Sequence, residues 1–269
     1  MRAALLLILF TACTSNVPGD SDPAVDVGNE VDPGWTSVGF GVEYQQVNAG
    51  GAYLIAYGGY SAKISYSSAW ASELVDAILG ANDVGRIYAV QGPEDPGYDA
   101  KEIGNSKLRA HLKTIDDGVS PIYVVAHSSG TYVAHELLDQ LYNAGQTDVL
   151  ARISYANLDG GGTGLDDDII ASLGAVTFAY AHDPTLASGY SENHSSAIDL
   201  GDDYAPKATT YEVTVPNTGC DSGYGWCMHD VLVTHRPHDP TFYDLADDYT
   251  DFKNRPVTTE YLDQFLSEK

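Results

Sequence analysis

The chain has 269 residues, of which 43% are hydrophobic and 19% charged, a mix that can bury one substantial core and excludes a disordered chain. Its 38 acidic residues against 13 basic ones give a formal net charge of -25, which argues against nucleic acid as a partner and makes anionic membrane surfaces repulsive. The acidity reads as a solvated surface suited to salt, where self-repulsion is screened, and carries little information about a substrate.

Arg2 supplies one positive charge, and Ala3 to Phe10 form an apolar run too short to span a bilayer. Phe10-Thr11-Ala12-Cys13 follows. This stretch resembles a bacterial lipoprotein leader, in which cleavage before the cysteine leaves it to carry lipid. The resemblance implies a signal peptide over 1–12, lipidation at Cys13 and an exported cell-envelope or secreted protein whose only membrane contact is the anchor. An ordinary signal peptide cut nearby is the alternative. Cys220 and Cys227 then remain as a pair, expected to form a disulfide in an oxidising compartment. Residues 13–35 are rich in Gly, Pro, Asp and Ser without periodicity and read as a flexible tether, leaving 36–269 as the domain.

Within that domain, strand-like and helix-like segments alternate. Gly41 to Val47 alternates as a strand, and Ala52 to Tyr57 is an apolar run ending in Gly58-Gly59. Ala71, Leu74, Val75 and Ile78 fall at helical spacing ahead of Gly80. Arg86 to Val90 reads as a strand and Lys101 to Ile115 as a loose helix. Ile122 to Ala126 is a continuous apolar strand of the kind buried inside a parallel sheet. A helix over Tyr132 to Leu141 follows, with Val133, Leu137, Leu138 and Leu141 on one face and Gly145 as its stop. Then come a strand at Ile153 to Leu158, a short helix over Asp166 to Leu173, strands at Val176 to Ala181 and Thr210 to Val215, and a helix near Thr258 to Leu266. This alternation predicts an α/β fold, with a mainly parallel central sheet and helices on both faces.

The sharpest motif is Ala126-His127-Ser128-Ser129-Gly130, set between a strand and a helix. Small residues two places either side of Ser128 allow a tight turn that lifts its hydroxyl above the strand end. The motif resembles the nucleophile elbow of α/β-hydrolases, with Ala126 where the family usually has Gly. The resemblance implies Ser128 as nucleophile, with the Ser129 N–H facing a developing oxyanion. It also implies the chain order serine, acid, histidine.

Counting strands puts the acid at the end of Val176 to Ala181, at Asp183, with Asp159 at the end of the preceding strand as the alternative. The base is expected after the last strand. His229 comes first, braced beside Cys227, and His235 is the alternative. The second oxyanion N–H is expected from Gly59 or Tyr60, in the glycine loop after Tyr57. Tyr57, Tyr60, Tyr66 and Tyr98 are candidate walls for a substrate, and His194 could line the site.

No metal site is expected. His235 to Asp239 is interrupted by Pro237, and Gly160 to Asp168 does not match an ordered calcium loop. The stretch between the third-last and second-last strands is too short for a large cap domain. The resemblance implies a monomeric serine hydrolase that needs no cofactor and cleaves a small-molecule or lipid carboxylic ester through an acyl-enzyme. A peptidase or amidase with the same triad, and a non-catalytic surface binding lipoprotein, are the alternatives.

Overall fold

The computed structural model describes residues 34–60, 62–75, 84–93, 99–161, 165–216, 220, 228–230 and 232–233. The expected leader, Cys13, most of the tether, Tyr98, Cys227, His235 and the helix near the C-terminus lie outside them.

Among the described residues eight strands form one sheet: β1 (Thr36–Ser37), β2 (Val42–Gln46), β3 (Ala52–Tyr57), β4 (Val84–Val90), β5 (Ile122–His127), β6 (Ile153–Leu158), β7 (Ala175–His182) and β8 (Ala208–Thr214). Their order across the sheet is β1-β2-β4-β3-β5-β6-β7-β8. Only the β1/β2 and β2/β4 pairs are antiparallel, so β2 alone runs against the rest. The helices are α1 (Ile64–Leu74), α2 (Asp99–Ile115), α3 (Gly130–Asn143), α4 (Thr147–Leu150), α5 (Asp167–Ser172) and α6 (His194–Asp203). The fold is the expected α/β architecture, a mainly parallel sheet with helices on both faces, with one short connection, 159–174, between β6 and β7.

The central strands are apolar on both faces because helices cover both faces. One face is bulky. Tyr53, Ile55, Tyr57, Val124, Tyr155 and Phe178 pack there against Leu108 of α2 and against Val133, Leu137 and Leu138 of α3. The other face carries more small residues, with Ala56, Ala89, Ala156, Ala179 and Ala181 beside Leu54, Ile87 and Leu158 against Trp70, Ala71 and Leu74 of α1. Trp35, expected in the tether, is buried in this second cluster, so the core begins one residue earlier than expected.

Element bounds differ from expectation by a few residues where caps and pairing decide them. α5 begins after Asp166, whose side chain accepts a hydrogen bond from the Asp168 N–H at 3.1 Å. α1 starts seven residues before Ala71, at Ile64, and its Ser67 and Ser68 are buried helical residues. β1, α4 and α6 had no counterpart in the sequence reading. Among the described residues no helix is long and apolar enough to cross a membrane.

Candidate active site

β5 delivers Ser128 to the carboxyl edge of the sheet. Ser128 has φ of 53°, a left-handed conformation that costs a residue with a Cβ energy. Its neighbours hold it there. The Ser128 N–H donates to the Leu158 carbonyl at 3.1 Å, extending the β5–β6 ladder by one bond. The Ser128 carbonyl accepts from the Thr131 N–H at 3.1 Å and from Thr131 Oγ1 at 2.7 Å. Gly130 is obligatory for packing, since a Cβ on it would stand 2.7 Å from the Tyr57 carbonyl and closer still to that of Gly58. Ala126 is fully buried in the core. Ser128 itself keeps 9% of its surface exposed.

β6 ends one strand away, and Asp159 follows it with φ of 46°. The Asp159 N–H donates to Ala179 O at 2.7 Å, which fixes the turn. Asp159 is fully buried, and its carboxylate is saturated with donors: Ser191 Oγ gives to Oδ1 at 2.7 Å, the Asn193 N–H to Oδ2 at 3.2 Å, and His229 Nδ1–H to Oδ2 at 2.5 Å. Asn193 Nδ2 also donates to the Asp159 carbonyl at 2.8 Å. Burial alone would raise this carboxyl; the His229 hydrogen bond and charge, with Ser191 and Asn193, outweigh it and hold Asp159 below its ordinary value. Burial likewise works against the His229 imidazolium, but the hydrogen bond to Asp159 and its charge lift the imidazole above its ordinary value.

His229 is 2% exposed. It is seated by apolar neighbours in sequence: Met228, Leu232 and Val233 bury with Leu158, Ala181 and Val213 on the small-residue face. Cys220 joins that cluster and is disulfide-bonded; its expected partner, Cys227, lies outside the described residues.

Asp183, the expected acid, is not the partner of His229. It too is buried, but its Oδ1 accepts from the Thr185 N–H at 2.9 Å and from Thr185 Oγ1 at 2.6 Å, capping the turn after β7. Its carboxylate is turned into its own loop by Thr185. β6 neighbours β5, whereas β7 lies one strand further out, with adjacent strands about 4.8 Å apart. The loop after β7 contributes instead through Ser191 and Asn193, which folds back antiparallel along β7 through the Ser191 N–H to Ala181 O bond of 2.9 Å.

The glycine loop after β3 approaches the elbow as expected. A Cβ on Gly59 would meet Ser128 Cβ and His127 Nδ1, each at 3.2 Å. The preceding Gly58 N–H is committed to Val90 O at 3.0 Å. Ser129 opens α3, and Tyr60 is 54% exposed beside Gly59. Tyr57 is no substrate wall: it is fully buried and donates its hydroxyl to Asn105 Oδ1 at 2.9 Å. Tyr66 is partly buried against the α1 cluster. His194 gives Nδ1–H to Ser191 O at 2.8 Å and stacks on Tyr190, supporting the loop that holds Asp159.

Three contributors carried no sequence signal: Ser191, Asn193 and His127. His127 is the middle residue of the elbow, yet it turns inward. Its Nε2–H donates to the His229 carbonyl at 3.2 Å, and the two rings lie 4.5 Å apart at 36°. Burial and the neighbouring His229 push its pKa down to about 3, so it is neutral. The described bonds of His229 run to Asp159 and His127, and a bond from Ser128 Oγ is not among them. The arrangement is a buried carboxylate–imidazole pair beside a strained, nearly buried serine, which suits proton transfer from that hydroxyl.

No family model matches the sequence, and no curated protein does. Among solved structures the chain is similar to a serine hydrolase involved in carbazole degradation, at 11% identity, with 65% of this chain and 86% of that one covered and a TM-score of 0.41. It is also similar to a protein of unknown function from Agrobacterium tumefaciens whose name proposes an α/β-hydrolase (11% identity, 85% and 93% covered, TM-score 0.46). A hormone-sensitive lipase from a metagenome library gives 11% identity, 83% and 81% covered and a TM-score of 0.44. All three scores are below 0.5, and the chemistry rests on the residues of the site.

Proposed function

We propose that the protein is a serine hydrolase of carboxylic esters, with Ser128 as nucleophile, His229 as base and Asp159 as the orienting acid. The observation that carries this reading is the fully buried Asp159–His229 pair, joined at 2.5 Å, at the strand end next to the left-handed Ser128.

In this mechanism Ser128 Oγ attacks the ester carbonyl carbon while its proton passes to His229 Nε2. Asp159 keeps Nδ1 protonated and stabilises the imidazolium. The Ser129 N–H, at the start of α3, and the N–H of Gly59 or Tyr60 receive the oxyanion. Collapse breaks the bond to the alkoxy group, which leaves with the His229 proton. Water then gives a proton to His229 and its oxygen to the acyl carbon, releasing the acid and restoring Ser128. In this conformation the Ser128–His229 bond is unmade, and it forms as substrate binds, as catalytic hydrogen bonds often do. Apart from substrate and water, every step uses side chains and backbone.

Export, lipidation at Cys13 and a Cys220–Cys227 bridge belong to the same proposal. The bridge would anchor the loop leading into His229. Palmitate labelling of cells expressing the full chain, lost in Cys13→Ala, checks the anchor.

The first test is labelling of the purified protein by a fluorophosphonate probe, with Ser128→Ala alongside. Labelling of the wild type alone supports an activated Ser128. A folded wild type that is never labelled sinks the hydrolase and leaves a binding role for the scaffold. An ester series run against matched amides then separates esterase from peptidase.

A further inference from the structure

His127 stands in the middle of the elbow, yet no step of the proposed reaction uses it. We propose that His127 is a positioning residue that braces the loop carrying His229 against the glycine loop after β3. Base and oxyanion donor then meet one substrate carbonyl at a fixed spacing. This role rests on the hydrolase reading of Ser128, His229 and Asp159.

The two ring nitrogens serve different loops. Nε2 lies 3.2 Å from the His229 carbonyl, which can only accept, so Nε2 carries the proton. The ring is neutral, with its pKa pushed down to about 3, and Nδ1 therefore keeps a lone pair. Nδ1 faces the glycine loop, where a Cβ on Gly59 would stand 3.2 Å from it. The ring also packs on that of His229, with 4.5 Å between centroids. His127 is buried, so it has little room to swing away.

The glycine loop is pinned on its far side as well. The Gly59 carbonyl accepts from the Ala62 N–H at 3.1 Å, and the Gly92 N–H gives to the Ala62 carbonyl at 2.8 Å. Gly92 follows β4, which lies on the side of β3 away from β5. A trans peptide sets its N–H opposite its carbonyl, so the Tyr60 N–H points to the β5 side, where Ser128 stands. The lone pair on His127 Nδ1 suits that orientation, because it attracts N–H groups and repels carbonyls. The other tautomer would turn a lone pair on the His229 carbonyl and undo the tether.

The test uses the full-length protein. Isotope-labelled histidine, read by nitrogen NMR, should show one ring with Nε2 protonated, Nδ1 bare and no titration down to about pH 5, and its signals should vanish in His127→Gln. In ester turnover His127→Phe, which fills the ring's place without either nitrogen, should lower kcat by about tenfold to a hundredfold with KM near that of the wild type. His127→Gln can still offer an N–H to the His229 carbonyl and should regain most of that loss. Circular dichroism and thermal melting check that both variants fold. Wild-type kcat in His127→Phe overturns the brace, as do equal losses in the two folded variants or an Nδ1-protonated tautomer. Should His127→Phe not fold, the tautomer and the kcat of His127→Gln decide. A wild type that hydrolyses no ester and takes no fluorophosphonate fails the hydrolase reading, and the brace falls with it. An active wild type beside an equally active His127→Phe fails the brace alone.

Discussion

Asp159 gathers three donors on its carboxylate and a fourth on its carbonyl. Such saturation holds an ion in a buried place, where an unpaired charge would be prohibitive. Asp159→Asn should therefore keep the fold and lower kcat by about ten-thousand-fold, because the amide favours the wrong imidazole tautomer. Asp183→Ala should do the reverse. It strands the Thr185 N–H and hydroxyl, costing about 1–3 kcal/mol in denaturant unfolding while leaving kcat little changed. A collapse of kcat in Asp183→Ala with Asp159→Asn active would restore Asp183 as the acid. Ser191→Ala removes one donor from Asp159 and should lower kcat by between about tenfold and a hundredfold with KM unchanged, and Ser191→Thr should rescue it. The places of Ser128 and His229 in the candidate site were legible in the sequence, the first from the small residues around it and the second from its place after the last strand. The choice between two aspartates was not, since both follow apolar strands and both precede turn residues. Only the folded chain separates them, with Asp159 bonded to His229 and Asp183 turned to Thr185. Ser191 and Asn193 had no pattern to betray them, because each acts by meeting a residue more than thirty positions away.

The elbow depends on two elements meeting at full contact: the first residue of α3 lies against the end of β3. Gly130→Ala would drive a Cβ into the carbonyls of Tyr57 and Gly58, both backbone, so nothing flexible can yield. The expected outcome is a loss of about 1–3 kcal/mol of stability together with loss of probe labelling, since the shift displaces Ser128 and Gly59 alike. A stable, normally labelled Gly130→Ala protein would show that this contact is not rigid. The same logic explains an element the sequence hid. α6 carries few apolar residues, among them the buried Ala197 and Leu200, and has Gly201 in its interior, where helix propensity is poor. It is helical because Gly201 lets it lie directly against Thr210 of β8, so tertiary packing overrides propensity. By contrast β3 and β5 were plain as apolar runs, because a strand covered on both faces is largely apolar, although β6 carries Ser154 and Asn157 and β7 carries Thr177. β1, with two residues, is too short to leave any periodicity.

At the scale of the whole molecule the mainly parallel sheet follows from the alternation of strand and helix, but the charge does not follow from the fold. A formal charge of -25 spread over one domain is a destabilising self-energy. Among the described residues two of the bases are in ion pairs: Arg152 meets Asp116 at 2.6 Å, and Arg86 meets Asp117 at 3.4 Å. Salt acts on these two kinds of interaction in opposite directions. It weakens ion pairs, though Arg152–Asp116 is largely sheltered and so loses little. It also screens the unpaired acids, whose separations are comparable to the Debye length of about 10 Å at 0.1 M. With 38 acids facing 13 bases the second effect must dominate. Raising sodium chloride from about 0.02 M to about 0.5 M should therefore stabilise the protein, and each kcal/mol gained should read as roughly 2–4 °C in Tm for a domain of this size. Sucrose at matched osmolality serves as the control for general exclusion effects. A Tm that is flat or falls with salt would mean that the acids are held apart or paired well enough that self-repulsion costs the fold nothing.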